Sequence, residues 1–102
     1  MSDGSTVVEI ETIGAEVHIR VLGQFTFNLR QDFRTVFAYL PEQRYVLDLS
    51  QTEFLDSSAV GLMLMLRDHA TENGKGVVIK NASKKLLDIL GMVGFDKYFE
   101  FI

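Results

Sequence analysis

The sequence predicts an α/β fold: a small mixed β-sheet with an N-terminal hairpin, parallel crossovers and helices packed over it. Three observations carry this. First, Glu16 to Leu22 alternates strictly, with Val17, Ile19 and Val21 facing one way and Glu16, His18 and Arg20 the other. Second, Tyr45 to Leu49 and Val77 to Lys80 are short apolar runs, as strands buried on both faces require. Third, helix-period stretches separate those runs, and strands joined through helices pair in parallel by right-handed crossovers.

The elements follow in order. Thr6 to Ile13 is rich in β-branched residues and sets Val8 and Ile10 on one face. The Gly14-Ala15 turn joins it to the alternating strand as an antiparallel hairpin. Gly23 is expected to end that second strand, leaving Gln24 to Phe27 as a loop with two aromatics, Phe25 and Phe27. Asn28 is a candidate N-cap. Leu29, Phe33, Val36, Phe37 and Leu40 then fall on one helical face. Pro41 stops the helix, because the residue before proline avoids the α region.

After the Tyr45 to Leu49 strand, Gln51 to Asp56 reads as a loop and Ser57 to Asn73 as a helix. Gly74-Lys75-Gly76 breaks it before the Val77 to Lys80 strand. Ser83 caps a third helix with Leu86, Leu87 and Leu90 as its apolar stripe and Gly91 as its C′ residue. Tyr98 to Phe101 is a last short strand.

Composition bounds the function. The 102 residues suit one domain, expected over 6–102, with residues 1–5 a disordered, frayed end. The hydrophobic fraction of 47% argues against disorder. Ten basic and 14 acidic residues give a net charge of −4, so neither nucleic acid nor an anionic membrane is an expected partner. There is no Cys, which excludes disulfide scaffolds and thiol catalysis. Met1 to Thr6 lacks the features of a signal peptide. The longest apolar stretch, Leu62 to Leu66, is far below the roughly 20 residues that span a bilayer. A cytoplasmic protein without direct membrane insertion is expected.

Chemistry concentrates in Phe54-Leu55-Asp56-Ser57-Ser58-Ala59-Val60-Gly61. It lies between a buried strand and a helix beginning at Ser57 or Ser58. A serine there has two readings. As a helix cap it satisfies a first-turn amide, worth about 1 kcal/mol. As a phosphorylation site it gains roughly −1.5 to −2 charges at a helix end that tolerates an anion. The helix itself is apolar nearly all round through Leu66. Burial against the sheet is one explanation; a docking surface with two methionines, Met63 and Met65, on its exposed side is the other.

Enzymatic readings find little support. A hydrolase built on Ser57 needs a histidine. His69 is twelve residues further along the same helix, about 18 Å away at 1.5 Å per residue, and His18 points off a strand. The Gly-x-Ser-x-Gly elbow is absent. Two lone histidines without Cys argue against a metal, and no cofactor is expected. Lys84 and Lys85 are solvated charges or contacts for an acidic partner.

Tyr45-Val46-Leu47-Asp48-Leu49-Ser50, followed by Phe54 to Leu62, resembles the signature of the STAS family. The resemblance extends over nearly the whole chain: Gly23 after the second strand, Lys75-Gly76 before a strand, and Leu86 to Gly91 followed by Val93-Gly94-Phe95. It is most similar to short, free-standing gammaproteobacterial regulators whose partners include a response-regulator-linked kinase/phosphatase and an anti-sigma factor.

The resemblance implies an anti-sigma factor antagonist acting by partner switching. Such a protein binds an anti-sigma factor when unphosphorylated. A serine kinase releases it by phosphorylation, and a phosphatase reverses the change. The phosphorylated serine corresponds to Ser57, with Ser58 a possible second site. Asp56 matches the acid beside it, and Asp48 the acid of the preceding strand. The implied partner-binding set is Asp56, Ser57, Ser58, Ala59, Thr26 and Met63. The sequence departs from the family in three places. Ala59 stands where kinase-regulated members usually have Gly, and Thr26 where many have an acid facing the kinase. The family usually continues with a further helix, whereas this sequence stops at Ile102. The alternative within the family is a non-phosphorylated STAS subunit of a lipid-transport ABC complex, docking through the same loop and helix. A third class, a ligand-sensing domain, has no local support.

Overall fold

In the computed structural model, which describes residues 6–39, 44–71, 76–92 and 94–102, β1 (Val7–Ile13) and β2 (Glu16–Phe25) form the expected hairpin. The two-residue loop places Gly14 first with φ +59°, which suits the twist of a tight hairpin. There follow a 3-10 turn (Phe27–Leu29), α1 (Arg30–Tyr39), β3 (Arg44–Asp48), β4 (Thr52–Leu55) and α2 (Ser57–Thr71). The chain continues with β5 (Val77–Lys80), α3 (Lys84–Met92), a second 3-10 turn (Phe95–Tyr98) and β6 (Glu100–Phe101). The sheet order is β1-β2-β3-β5-β6, antiparallel at the hairpin and parallel thereafter, with β4 paired to β2.

The alternation in β2 decides the two faces. Val17, Ile19 and Val21 are fully buried and share one core with Phe33 and Val36 of α1, Met63 and Leu66 of α2, and Leu86 and Leu90 of α3. The opposite face is a lattice of cross-strand ion pairs. Arg20 reaches Glu9 at 3.4 Å and Asp48 at 3.3 Å, while Arg44 reaches Glu16 at 3.5 Å and Glu100 at 3.6 Å. Glu9, His18, Arg20, Asp48 and Lys80 line a hollow of about 200 Å³ on this face.

Asp48 is buried within that lattice. Burial alone raises its pKa. Hydrogen bonds from the Ser50 backbone and side chain, and the Arg20 guanidinium, outweigh burial and hold it below the ordinary carboxylate value. A depressed folded-state pKa adds stability above the unfolded pKa, and that stability is lost as pH falls through the folded value. Asp48→Asn should cost about 1–3 kcal/mol at neutral pH and flatten the acid limb of a stability–pH curve below about pH 4. An acid limb unchanged in the variant contradicts this.

The structure corrects several sequence expectations. Gly23 does not end β2; it bends it. At φ +102° the strand shifts register between Gly23 and Gln24 and leaves β3 for β4. Gln51 to Asp56 is accordingly not all loop, because Thr52–Leu55 is a strand. Thr52 Oγ1 donates to the Val21 carbonyl at 2.8 Å and ties β4 to β2. Gly23→Ala forces a side chain into a positive-φ backbone and should destabilise the fold by roughly 1–2 kcal/mol; an unchanged midpoint in urea would show that the bend needs no glycine.

Asn28 is not the N-cap before α1. Thr26 caps the preceding 3-10 turn, accepting from the Asn28 amide at 3.4 Å. Ser83 caps α3 as expected, its oxygen accepting from the Leu86 amide at 3.2 Å. Leu87 is exposed and Ile89 takes the packing position beside Leu86 and Leu90. The helix runs through Gly91 to Met92, and the glycine with positive φ after it is Gly94. Only Glu100–Phe101 of the last expected strand pairs with β5; Tyr98 closes the 3-10 turn before it. The frayed end at 1–5, Leu40 and the Pro41 stop, the helix end at Asn73, Gly74-Lys75 and Val93 lie outside the described residues.

Candidate functional site

The site begins with the bend at Gly23. Because β2 turns toward β4, Phe25 pairs in register with Leu55, and the two parallel strands finish side by side. The residues just beyond them, Thr26 and Asp56, are therefore neighbours at the carboxyl end of the strands. The Asp56 amide donates to the Phe25 carbonyl at 3.3 Å and fixes that closeness.

Asp56 is the N-cap of α2. Its Oδ1 accepts from the Ala59 amide at 2.9 Å and its carbonyl accepts from the Val60 amide at 3.2 Å. This corrects the reading of the serine as the helix cap. The cap is supplied by the aspartate, so Ser57 occupies the first helical position with an exposed side chain, and Ser58 beside it is half-buried. A phosphate added to Ser57 would stand at the positive end of α2, beside the residue whose carboxylate caps the helix.

The other expected contact residues divide. Thr26 is half-buried and holds its 3-10 turn, which packs against α2. Ala59 and Met63 are fully buried in the core. Neither presents surface to a partner in this conformation, because positions three and four residues beyond Asp56 and Ala59 turn toward the sheet. The exposed methionine of α2 is Met65, 52% accessible. Ser57, Gly61 and Met65 are spaced four apart and form the exposed stripe of α2.

Two exposed aromatics flank this region without being singled out as contact residues by the sequence. Phe27, 54% accessible, follows Thr26 and carries the Arg30 guanidinium 4.4 Å from its ring centre. Phe54 is exposed on β4. A strand of four residues is too short to show periodicity, so the sequence carried no signal for Phe54.

The geometry also places the histidines. His18 lies on the ion-paired face, 3.1 Å from Glu16. His69 packs between the rings of Phe37 and Tyr45, with centroids 5.4 and 5.8 Å away, and its Nε2 is buried without a hydrogen bond among the described residues. Neither is arranged to activate Ser57. No group of three or more metal-ligating side chains occurs among the described residues, and no described helix is long and apolar enough to cross a membrane.

With this geometry in view, likeness to known proteins is informative. Residues 8–102 match the family model described as "Mlab, STAS domain". The chain is 37% identical over 89 residues to a STAS-domain containing protein of Pseudomonas aeruginosa (strain UCBPP-PA14), covering 85% of this chain and 88% of that protein. Its fold is similar to unphosphorylated SpoIIAA, an anti-sigma factor antagonist, with TM-score 0.81 and 17% identity over 94% of this chain and 88% of that one. It is likewise similar to an anti-sigma factor antagonist from Mycobacterium paratuberculosis, with TM-score 0.82 and 20% identity over 98% and 87% of the two chains. An N-terminal antiparallel hairpin, parallel strands, three helices over one face and a matching family model together place the chain in the STAS-domain family, with the fold of the SpoIIAA-like anti-sigma factor antagonists.

Proposed function

We propose that this chain is an anti-sigma factor antagonist that works by partner switching at Ser57. The observation that carries the proposal is the division of labour at the start of α2. Asp56 makes the cap, which leaves the Ser57 hydroxyl exposed and free of a structural duty. Unphosphorylated, the surface around Ser57, with Thr26, Phe27, Gly61 and Met65, docks an anti-sigma factor. Phosphorylation by a serine kinase adds charge next to Asp56 and releases the partner by repulsion and desolvation; a phosphatase restores binding. The chain acts as a binding protein, with no cofactor.

Incubation with ATP and the cognate kinase should place one phosphate on Ser57 and none on the Ser57→Ala variant. Transfer that persists in Ser57→Ala at Ser58 alone would move the switch by one residue and contradict the assignment.

The second reading is a STAS subunit docked constitutively on a lipid-transport ABC complex through the same surface. What favours it is the matching family model, whose description names Mlab and no sigma-factor regulator. Under that reading Ser57 is never modified, and Ser57→Ala binds its partner as the wild type does in every growth state.

A further inference from the structure

The outer edge of β1 stands apart from the Ser57 surface. Sheets protect their edges by keeping the edge strand short, by proline, by a bulge or by charge. β1 uses only the last. It is seven residues long, contains no proline and pairs with β2 from Val7 to Ile13 without a register shift. Val7, Ile10 and Ile13 are 50%, 41% and 49% accessible. At the same time β1 ends the sheet, so its second edge has no strand beside it among the described residues.

The charge on this strand is patterned. Glu9 and Glu11 project from the ion-paired face, opposite Arg20 and His18 in the register, while Val8 and Ile10 project from the helix-covered face. Arg20 engages Glu9 at 3.4 Å, and Glu11 is exposed. This pattern decides what the edge accepts. A second copy pairing antiparallel about a two-fold axis normal to the sheet must oppose residues of the same face. Centred on Ile10, it sets Glu9 against Glu11 twice. Centred on Glu9 or Glu11, it sets that residue against itself. Like charges directly opposite are destabilising, so each self-register centred on Glu9, Ile10 or Glu11, the ones that pair five or more residues of β1, is penalised.

We infer that the β1 edge is a docking site for an extended segment of another protein in which Lys or Arg alternates with apolar residues, added as a further antiparallel strand. Backbone hydrogen bonds supply the affinity. Basic side chains opposite Glu9 and Glu11 supply the selectivity, and apolar ones meet Val8 and Ile10. This inference is independent of the role given to Ser57.

The test uses two blocked peptides of the same length as β1, one alternating Lys and Val and one alternating Glu and Val, followed by backbone amide NMR. The Lys–Val peptide should shift residues 7–13 and bind about tenfold more tightly than the Glu–Val peptide. Glu11→Lys, at an exposed position outside the ion pairs, should abolish that preference and leave the fold intact. Equal binding of the two peptides overturns the inference, as do shifts centred elsewhere. So does self-association of the wild-type chain through β1.

Discussion

Ser57→Asp is expected to fold as stably as the wild-type chain and to bind the partner at least about tenfold more weakly. The two halves of that expectation come from different physics. A carboxylate at the first position of a helix interacts favourably with the helix dipole, by about 0.3–1 kcal/mol, which offsets its repulsion from the neighbouring Asp56. Stability is therefore nearly unchanged. At the interface the same charge must be stripped of water and held beside Asp56, and a like-charge or desolvated contact costs several kcal/mol. Urea denaturation and a titration against the anti-sigma factor separate the two. Wild-type affinity in Ser57→Asp contradicts the electrostatic mechanism, while Ser57→Ala should bind as the wild type does.

The two methionines of α2 should behave in opposite ways. Met63 is fully buried among the α1, α2 and sheet residues of the core, so Met63→Ala leaves a cavity and should cost about 2–5 kcal/mol. Met65 faces outward two residues later, and Met65→Ala should change stability by no more than about 0.5 kcal/mol. Under the proposed docking role, its effect would fall on partner binding, where a flexible thioether adapts to the docked surface. A large loss of stability in Met65→Ala, or none in Met63→Ala, would mean that the helix is rotated from the orientation described.

Much of this was legible in the sequence, and the exceptions have a common cause. The hairpin, the central strands and the α2 start are each fixed by local patterns: a two-period alternation, short apolar runs and an Asp-Ser-Ser segment before an apolar helix. What was missed depended on partners distant in sequence. β4 is a strand only because Gly23 bends β2 toward it, and nothing in Thr52 to Leu55 announces that pairing. The α2 stripe was ambiguous for the same reason. A helix apolar nearly all round has no preferred face until the sheet selects Ala59, Met63, Leu66 and Ala70 for burial and leaves Gly61 and Met65 outside. At the helix start, both an aspartate and a serine are good caps, and only the position of the Phe25 carbonyl beside the Asp56 amide assigned the cap to the aspartate.

The most direct test of the switch is phosphosite mapping of the chain recovered from its native cells across growth states, with partner content measured in the same samples. The account predicts one phosphate at Ser57 in part of the population and an anti-sigma factor bound only to the unmodified fraction. An unmodified Ser57 in every state, or equal partner content in both fractions, would contradict it.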